Sequence, residues 1–157
     1  MEQCFIKRHE DYYNKYVQEV LERKDIISII SKDIDADNFD YSNITKQLIG
    51  KRLFSFLLYK GTTVTGIFCL EEIDWENRNC RLKLGLFDEY LNDYDHEYVR
   101  TGINNVLDFC KSNIRLKRVW GIVPDRDNNK IECLQDVFKV EGKTKSEDYI
   151  YMGHILE

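Results

Sequence analysis

An α/β domain, with helices layered over a mixed, mostly antiparallel central sheet, is the fold class this sequence predicts. Three observations point there. Two β-rich runs, 53–60 and 64–73, flank Gly61-Thr62-Thr63, and a third, 80–87, follows the polar break DWENRN at 74–79. Short turn-rich separators between such runs predict an antiparallel meander. Val99, Ile103, Val106, Leu107, Cys110 and Ile114 then recur at helical spacing, ahead of the apolar strand Val119-Trp120-Gly121-Ile122-Val123. A helix crossing between the strands at 80–87 and 119–123 makes those two parallel, so the sheet is mixed.

The remaining elements complete three layers. Cys4-Phe5-Ile6-Lys7 suits a short first strand, and Tyr12, Tyr13, Tyr16, Val17, Val20 and Leu21 have helical spacing. A second helix is expected from Tyr41 to Ile49, with Ser42 as its cap and Gly50 as its stop. The long helix should run from about 95 to 113, Asp127-Asn128-Asn129 opens a shorter one through Gln135, and two strands close the chain near 137–141 and 147–156. With one proline and no low-complexity linker, residues 1–157 read as a single domain.

Composition excludes several classes. The chain has 157 residues, 43% of them hydrophobic, and should bury about two-thirds of the surface its unfolded form exposes. A formal charge of -5 argues against a nucleic-acid binder, since phosphate neutralisation needs clustered Lys and Arg and the longest basic cluster is Arg115, Lys117, Arg118. The first residues, MEQCFIKRHE, contain no apolar signal region, and no run approaches the ~18 apolar residues of a membrane span, so a cytoplasmic protein without a membrane partner is expected. Five cysteines, widely spaced in hydrophobic runs, read as buried reduced thiols.

One stretch resists a bland reading. Residues 92–97, NDYDHE, put three carboxylates just ahead of the best helical pattern, although a helix start itself attracts anions. Asp93 or Asp95 as the cap, with Glu97 in the first turn, accounts for them, each contributing on the order of 0.5–1 kcal/mol.

Several spacings together resemble the GNAT acetyltransferase superfamily, closest to the branch that acetylates ribosomal-protein N-termini and similar amines. Gly66 and Leu70 precede Ile73-Asp74-Trp75-Glu76-Asn77-Arg78; Phe109-Cys110 leads to Leu116-Lys117-Arg118-Val119; Asn128 opens the next helix; and Glu141-Gly142, Asp148 and the terminal Glu157 close the series. The likeness covers about residue 52 to the C-terminus.

The resemblance implies a GNAT-like three-layer α/β/α domain that moves acetyl from acetyl-CoA to an amine by direct attack. The acceptor, a small molecule or a peptide, is unspecified, and a homodimer is left open. It implies that the Leu86-Phe87 backbone holds the pantetheine and that Asn128 hydrogen-bonds the cofactor or a water. The family's phosphate loop, x-x-Gly-x-Gly after a basic residue, is degenerate here: a gapless count from Gly85 puts its first two glycines on Tyr94 and His96 and the basic residue on Leu91 or Asp93. Tyr94, Asp95 and His96 are then the residues expected against the cofactor.

The transfer needs a base and usually an acid. Glu71 and Glu72 end one strand, and period-2 alternation sends only one to the substrate side, with Glu72 slightly preferred. The family's tyrosine acid falls on Gln135, leaving Tyr149, Tyr151, His154 or water, of which Tyr149 is selected; His9 is remote, and nothing in the spacing supports a Cys133-His154 nucleophile. Loss of those residues keeps two alternatives open: an inactive GNAT-fold binding module, and an acyltransferase using a donor other than CoA.

Overall fold

The computed structural model describes residues 4–8, 54–146 and 148–157. The helices expected near 12–21 and 41–49, and His9, lie outside these residues. Seven strands form one sheet in the order β1-β2-β3-β4-β5-β7-β6: β1 (Cys4–Arg8), β2 (Phe54–Lys60), β3 (Thr63–Asp74), β4 (Asn79–Leu86), β5 (Arg118–Pro124), β6 (Lys139–Lys143) and β7 (Tyr149–Ile155). Every pairing is antiparallel except β4 with β5. Helix α1 (Glu97–Ser112) makes the crossover between those two, and α2 (Asn128–Gln135) joins β5 to β6. The mixed, mostly antiparallel α/β class is therefore the observed one.

Two local devices fix where β5 begins. At the β3–β4 turn the Asp74 carboxylate accepts from the Asn77 amide at 2.9 Å and from its side chain at 2.8 Å, a side-chain-closed turn. These bonds hold the Asp74 carboxyl below its usual value. Arg78 then takes φ 56°, and its carbonyl accepts from the Lys117 amide at 2.7 Å and the Arg118 amide at 3.2 Å. The Ile-Asp…Asn-Arg and Lys-Arg-Val patterns thus meet at one carbonyl, which sets the parallel register at Asn79↔Arg118.

The face of the sheet that carries Phe56, Leu58, Phe68, Leu70, Leu82 and Leu84 packs against Val99, Ile103, Val106 and Leu107 of α1 and Ile131 and Leu134 of α2. Gly102 lets α1 approach closely, because a Cβ there would lie 2.7 Å from the Leu58 side chain. Leu57, Ile67 and Cys69 point to the other face and are equally buried, so both faces of the central strands are covered, as three layers require. Cys69, Cys80, Cys110 and Cys133 are buried free thiols.

Candidate active site

The parallel ladder between β4 and β5 stops at Arg81↔Trp120, although β4 runs on to Leu86 and β5 to Pro124. Beyond that point the strands splay. The Phe87 amide donates to Thr65 O at 2.8 Å, which fixes the phase of the β3–β4 ladder: the main-chain groups of Gly85 and Lys83 face β3, while those of Leu82, Leu84 and Leu86 face the gap. A cleft of about 350 Å³ fills the splay, near the lower end of the range typical for ligand sites, with walls from β4, β5, α2 and Tyr149 and Met152 of β7. Gly121 marks its narrow end, where a Cβ would come within 3.1 Å of Leu82 O.

The loop from β4 to α1 differs from expectation. A 3₁₀ helix, Asp88–Asp93, precedes α1, and the N-cap is His96, with no side-chain cap bond. Neither Asp93 nor Asp95 caps the helix. Asp93 instead turns inward, accepting from the Tyr98 hydroxyl at 2.7 Å with Lys60 Nζ at 3.5 Å and His96 Nε2 at 3.7 Å. Its carboxylate ties the loop to β2, while the side chains of Asp95 and Glu97 are 83% and 79% exposed. The three carboxylates of NDYDHE thus do different work: one is a tether and two are solvated.

Tyr94, at the first lost glycine, turns inward. Its ring is buried and its hydroxyl accepts from the Leu86 amide at 3.4 Å, while burial drives its pKa well above the usual phenol range. It does not line the cleft, which stays open. Of the Leu86-Phe87 backbone, the Leu86 amide meets Tyr94 and the Phe87 amide faces Thr65, and neither residue lines the cleft. Leu84 and Leu82 are the residues whose main chain the cleft exposes. Asp95 lines a separate polar hollow with Arg100, Asn129 and Asp136.

Asn128 is exposed as the first residue of α2 and lines neither cavity. The cap is its neighbour Asp127, whose carboxylate accepts from the Lys130 amide at 3.4 Å. Glu72 is also displaced. A register shift after Glu71 breaks the alternation, leaving Glu72 at φ 50° with a side chain 57% exposed and 3.8 Å from Arg81. Glu71 is the carboxylate carried inward, 2.6 Å from Lys83 Nζ, with both side chains about nine-tenths buried. Tyr149 does line the cleft. His154 bonds Val137 O through Nδ1 at 2.8 Å, Gln135 and Tyr151 are exposed, and burial pushes the Cys133 thiol up to about 11.

Sequence reasoning missed Lys130. From the first turn of α2 it enters the cleft and donates to Leu84 O, and burial lowers its pKa to about 8 against the opposing pull of Asp127. No spacing rule marks it; the one signal is its place three residues after the cap Asp127. Replacing Asp127 by Ala should cost about 1 kcal/mol through the lost cap and lower the Lys130 pKa further. Urea denaturation and the chemical shift of the Lys130 ε-methylene report the two effects.

Among the described residues no group of three or more His, Cys, Asp or Glu is placed to hold a metal, and no helix is long and apolar enough to cross a membrane. Splayed parallel strands in the middle of a mixed sheet, joined by a βαβ crossover, define the GNAT-like fold. The spermidine N-acetyltransferase from Vibrio cholerae, in complex with CoA and spermine, superposes with a TM-score of 0.76 at 16% identity, covering 98% of this chain and 96% of that one. A dodecameric structure of the same organism's enzyme, in an intermediate state, gives 0.76 at 16% identity over 98% and 94%. At such identity the likeness is one of fold. No protein-family model matches the chain, and no curated protein matches its sequence.

Proposed function

We propose that this chain is an N-acetyltransferase that moves acetyl from acetyl-CoA to an amine. The observation that carries the reading is the splay of β4 from β5, which turns the strand edge of Leu82 and Leu84 toward a narrow cleft able to receive an amide-containing arm once Lys130 gives up Leu84 O. An arm of that kind pairs with a strand edge as another strand would. The phosphate end of the donor suits the site less well but fits: Asp95 and Glu97 point to solvent, where screening weakens their repulsion, and Asp93 is matched by Lys60. When bound, the thioester supplies the acyl group, a C–N bond forming to the amine as the C–S bond breaks and the thiolate leaves. Glu71 is the inward carboxylate suited to accept the proton of the attacking amine, and Tyr149 the hydroxyl suited to return one to sulfur.

The acceptor is an amine whose class the fold leaves open. Spermine, present in the Vibrio cholerae complex, is one candidate; a cleft lined by Arg81, Lys83, Arg126 and Lys130 against Asp127 argues for an acceptor with less positive charge. A self-blocked binding module is the second reading, favoured by Tyr94 on the Leu86 amide and Lys130 on Leu84 O, the two edge groups a ligand would want. Thermal unfolding with acetyl-CoA separates the readings. At a hundredfold excess over Kd the donor should stabilise the protein by about 2.7 kcal/mol, and an amine panel should yield free thiol. No shift at millimolar donor, with no thiol released, overturns the enzymatic reading.

A further inference from the structure

The sign of charge in the cleft is opposite to that of the molecule. The chain carries a net -5, yet the cleft is lined by Arg81, Lys83, Arg126 and Lys130 with Asp127 as its carboxylate. Two of these cations are already engaged, Lys83 by Glu71 at 2.6 Å and Arg81 by Glu72 at 3.8 Å and the Trp120 ring at 5.6 Å. Arg126 and Lys130 have no carboxylate within ion-pair distance among the described residues. Lys130 is the telling one, because its ammonium sits inside the cleft with a neutral carbonyl, Leu84 O, as its hydrogen-bond partner. Charged groups taken out of water are nearly always matched by an opposite charge. Of the carboxylates on its own element, the cap Asp127 is already committed to the Lys130 main-chain amide, and Glu132 lines the separate hollow with Asp95 and Arg100.

We propose that the β4–β5 cleft takes a ligand with a carboxylate that lies against the Lys130 ammonium and an aliphatic stem that lies along Leu82, Ile122 and Leu134. The walls supply the stem's environment, since those three side chains line the same cavity. A carboxylate fits better than a phosphate because one compact ammonium offers few donors and the cavity narrows at Gly121, whereas phosphates call for several convergent donors. Two sources share this chemistry: the acyl group of a dicarboxylic thioester donor, and the α-carboxylate of an amino-acid acceptor. Assigning the source rests on the acyl-transfer reading; the binding itself does not.

The titration of Lys130 gives the test its sharpest readout. The groups that bear on it are Asp127 and Cys133 of α2 and Lys83 of β4, with Arg81, Arg126 and Tyr149 on the same cavity walls. Binding to the protonated amine should weaken as pH rises through about 8, so glutarate alone, titrated calorimetrically into the full chain, should bind at least tenfold more weakly at pH 9.5 than at pH 7. Lys130→Met should lose at least tenfold at pH 7, and Lys130→Arg, charged at both values, should bind equally at both. Circular dichroism and unfolding of each variant establish that it is folded. Equal binding by wild type and Lys130→Met, absence of glutarate binding at millimolar concentration, or inorganic phosphate binding as well as glutarate at matched ionic strength each overturns the proposal. So does a Lys130→Arg variant that loses affinity at pH 9.5 as wild type does.

Steady-state arms then assign the source. If the donor bears the carboxylate, succinyl-CoA exceeds acetyl-CoA tenfold in kcat/KM and the preference vanishes in Lys130→Met. If the acceptor bears it, α-amino acids exceed the corresponding decarboxylated amines with acetyl-CoA and that preference vanishes instead. Either result supports the site, and transfer that shows neither preference overturns its role in turnover. Where no transfer is detected, the acetyltransferase reading falls and the glutarate titration decides the anion site alone.

Discussion

Gly66→Ala should lose about 3 kcal/mol of stability, near the upper end of what overpacking costs. Gly66 stands opposite Leu86, and a Cβ there would overlap the carbonyl oxygen of Gly85 and lie 2.9 Å from the Leu86 side chain and 3.1 Å from its Cα. Two of these obstacles are main chain, so no rotamer change relieves them and β3 must move away from β4. The movement falls on the end of β4 that feeds the cleft, beside the Leu86 amide held by Tyr94. Thermal unfolding should fall by roughly 6–12 °C, taking ~2–4 °C per kcal/mol for a domain of this size. Gly142→Ala is the control: its Cβ meets nothing within 4 Å on an exposed strand, and it should stay within about 0.5 kcal/mol of wild type. Equal behaviour of the two variants would remove the close approach as an explanation for Gly66.

Periodicity carries the architecture because burial is a property of whole faces. The Val99 to Cys110 pattern of α1, the alternation of CRLKLGLF and the polar break at 74–79 each appear within about two residues of their expected bounds. The separators also had local chemistry, Gly61 at φ 63° in one turn and Asp74 with Asn77 in the next. Site residues were harder to read because single side chains answer to neighbours that pattern rules do not see. Glu71 and Glu72 looked equivalent until a register shift broke the alternation between them. Asp93 had the chemistry of a cap, yet Tyr98 and Lys60, distant in sequence or one helical turn on, drew its carboxylate inward. Asn128 and Asp127 are adjacent, and one residue of helix phase decides which caps and which is exposed. Lys130 was invisible since its significance lies in the β4 carbonyl it meets, 46 residues earlier in the chain.

Glu71 and Lys83 offer the largest expected effect on both stability and rate. Their ion pair closes at 2.6 Å with each side chain about nine-tenths buried, where water cannot readily substitute for a lost partner. Lys83→Met should cost about 3 kcal/mol, because it strips an ammonium from a desolvated carboxylate, whereas Glu71→Leu with Lys83→Met should recover most of that loss, buried pairs being replaceable by apolar packing. The double-mutant cycle, measured by urea denaturation, should therefore show strong coupling. Rate follows a different logic. If Glu71 accepts the proton of the attacking amine, Glu71→Gln, which keeps the shape and removes the base, should lower kcat by roughly 10²-fold with little change in donor KM. Glu72→Gln, at the exposed edge, should leave kcat near wild type. A Glu71→Gln enzyme that is destabilised but turns over at the native rate would reduce the pair to a buried structural bridge and leave water as the proton acceptor in the cleft.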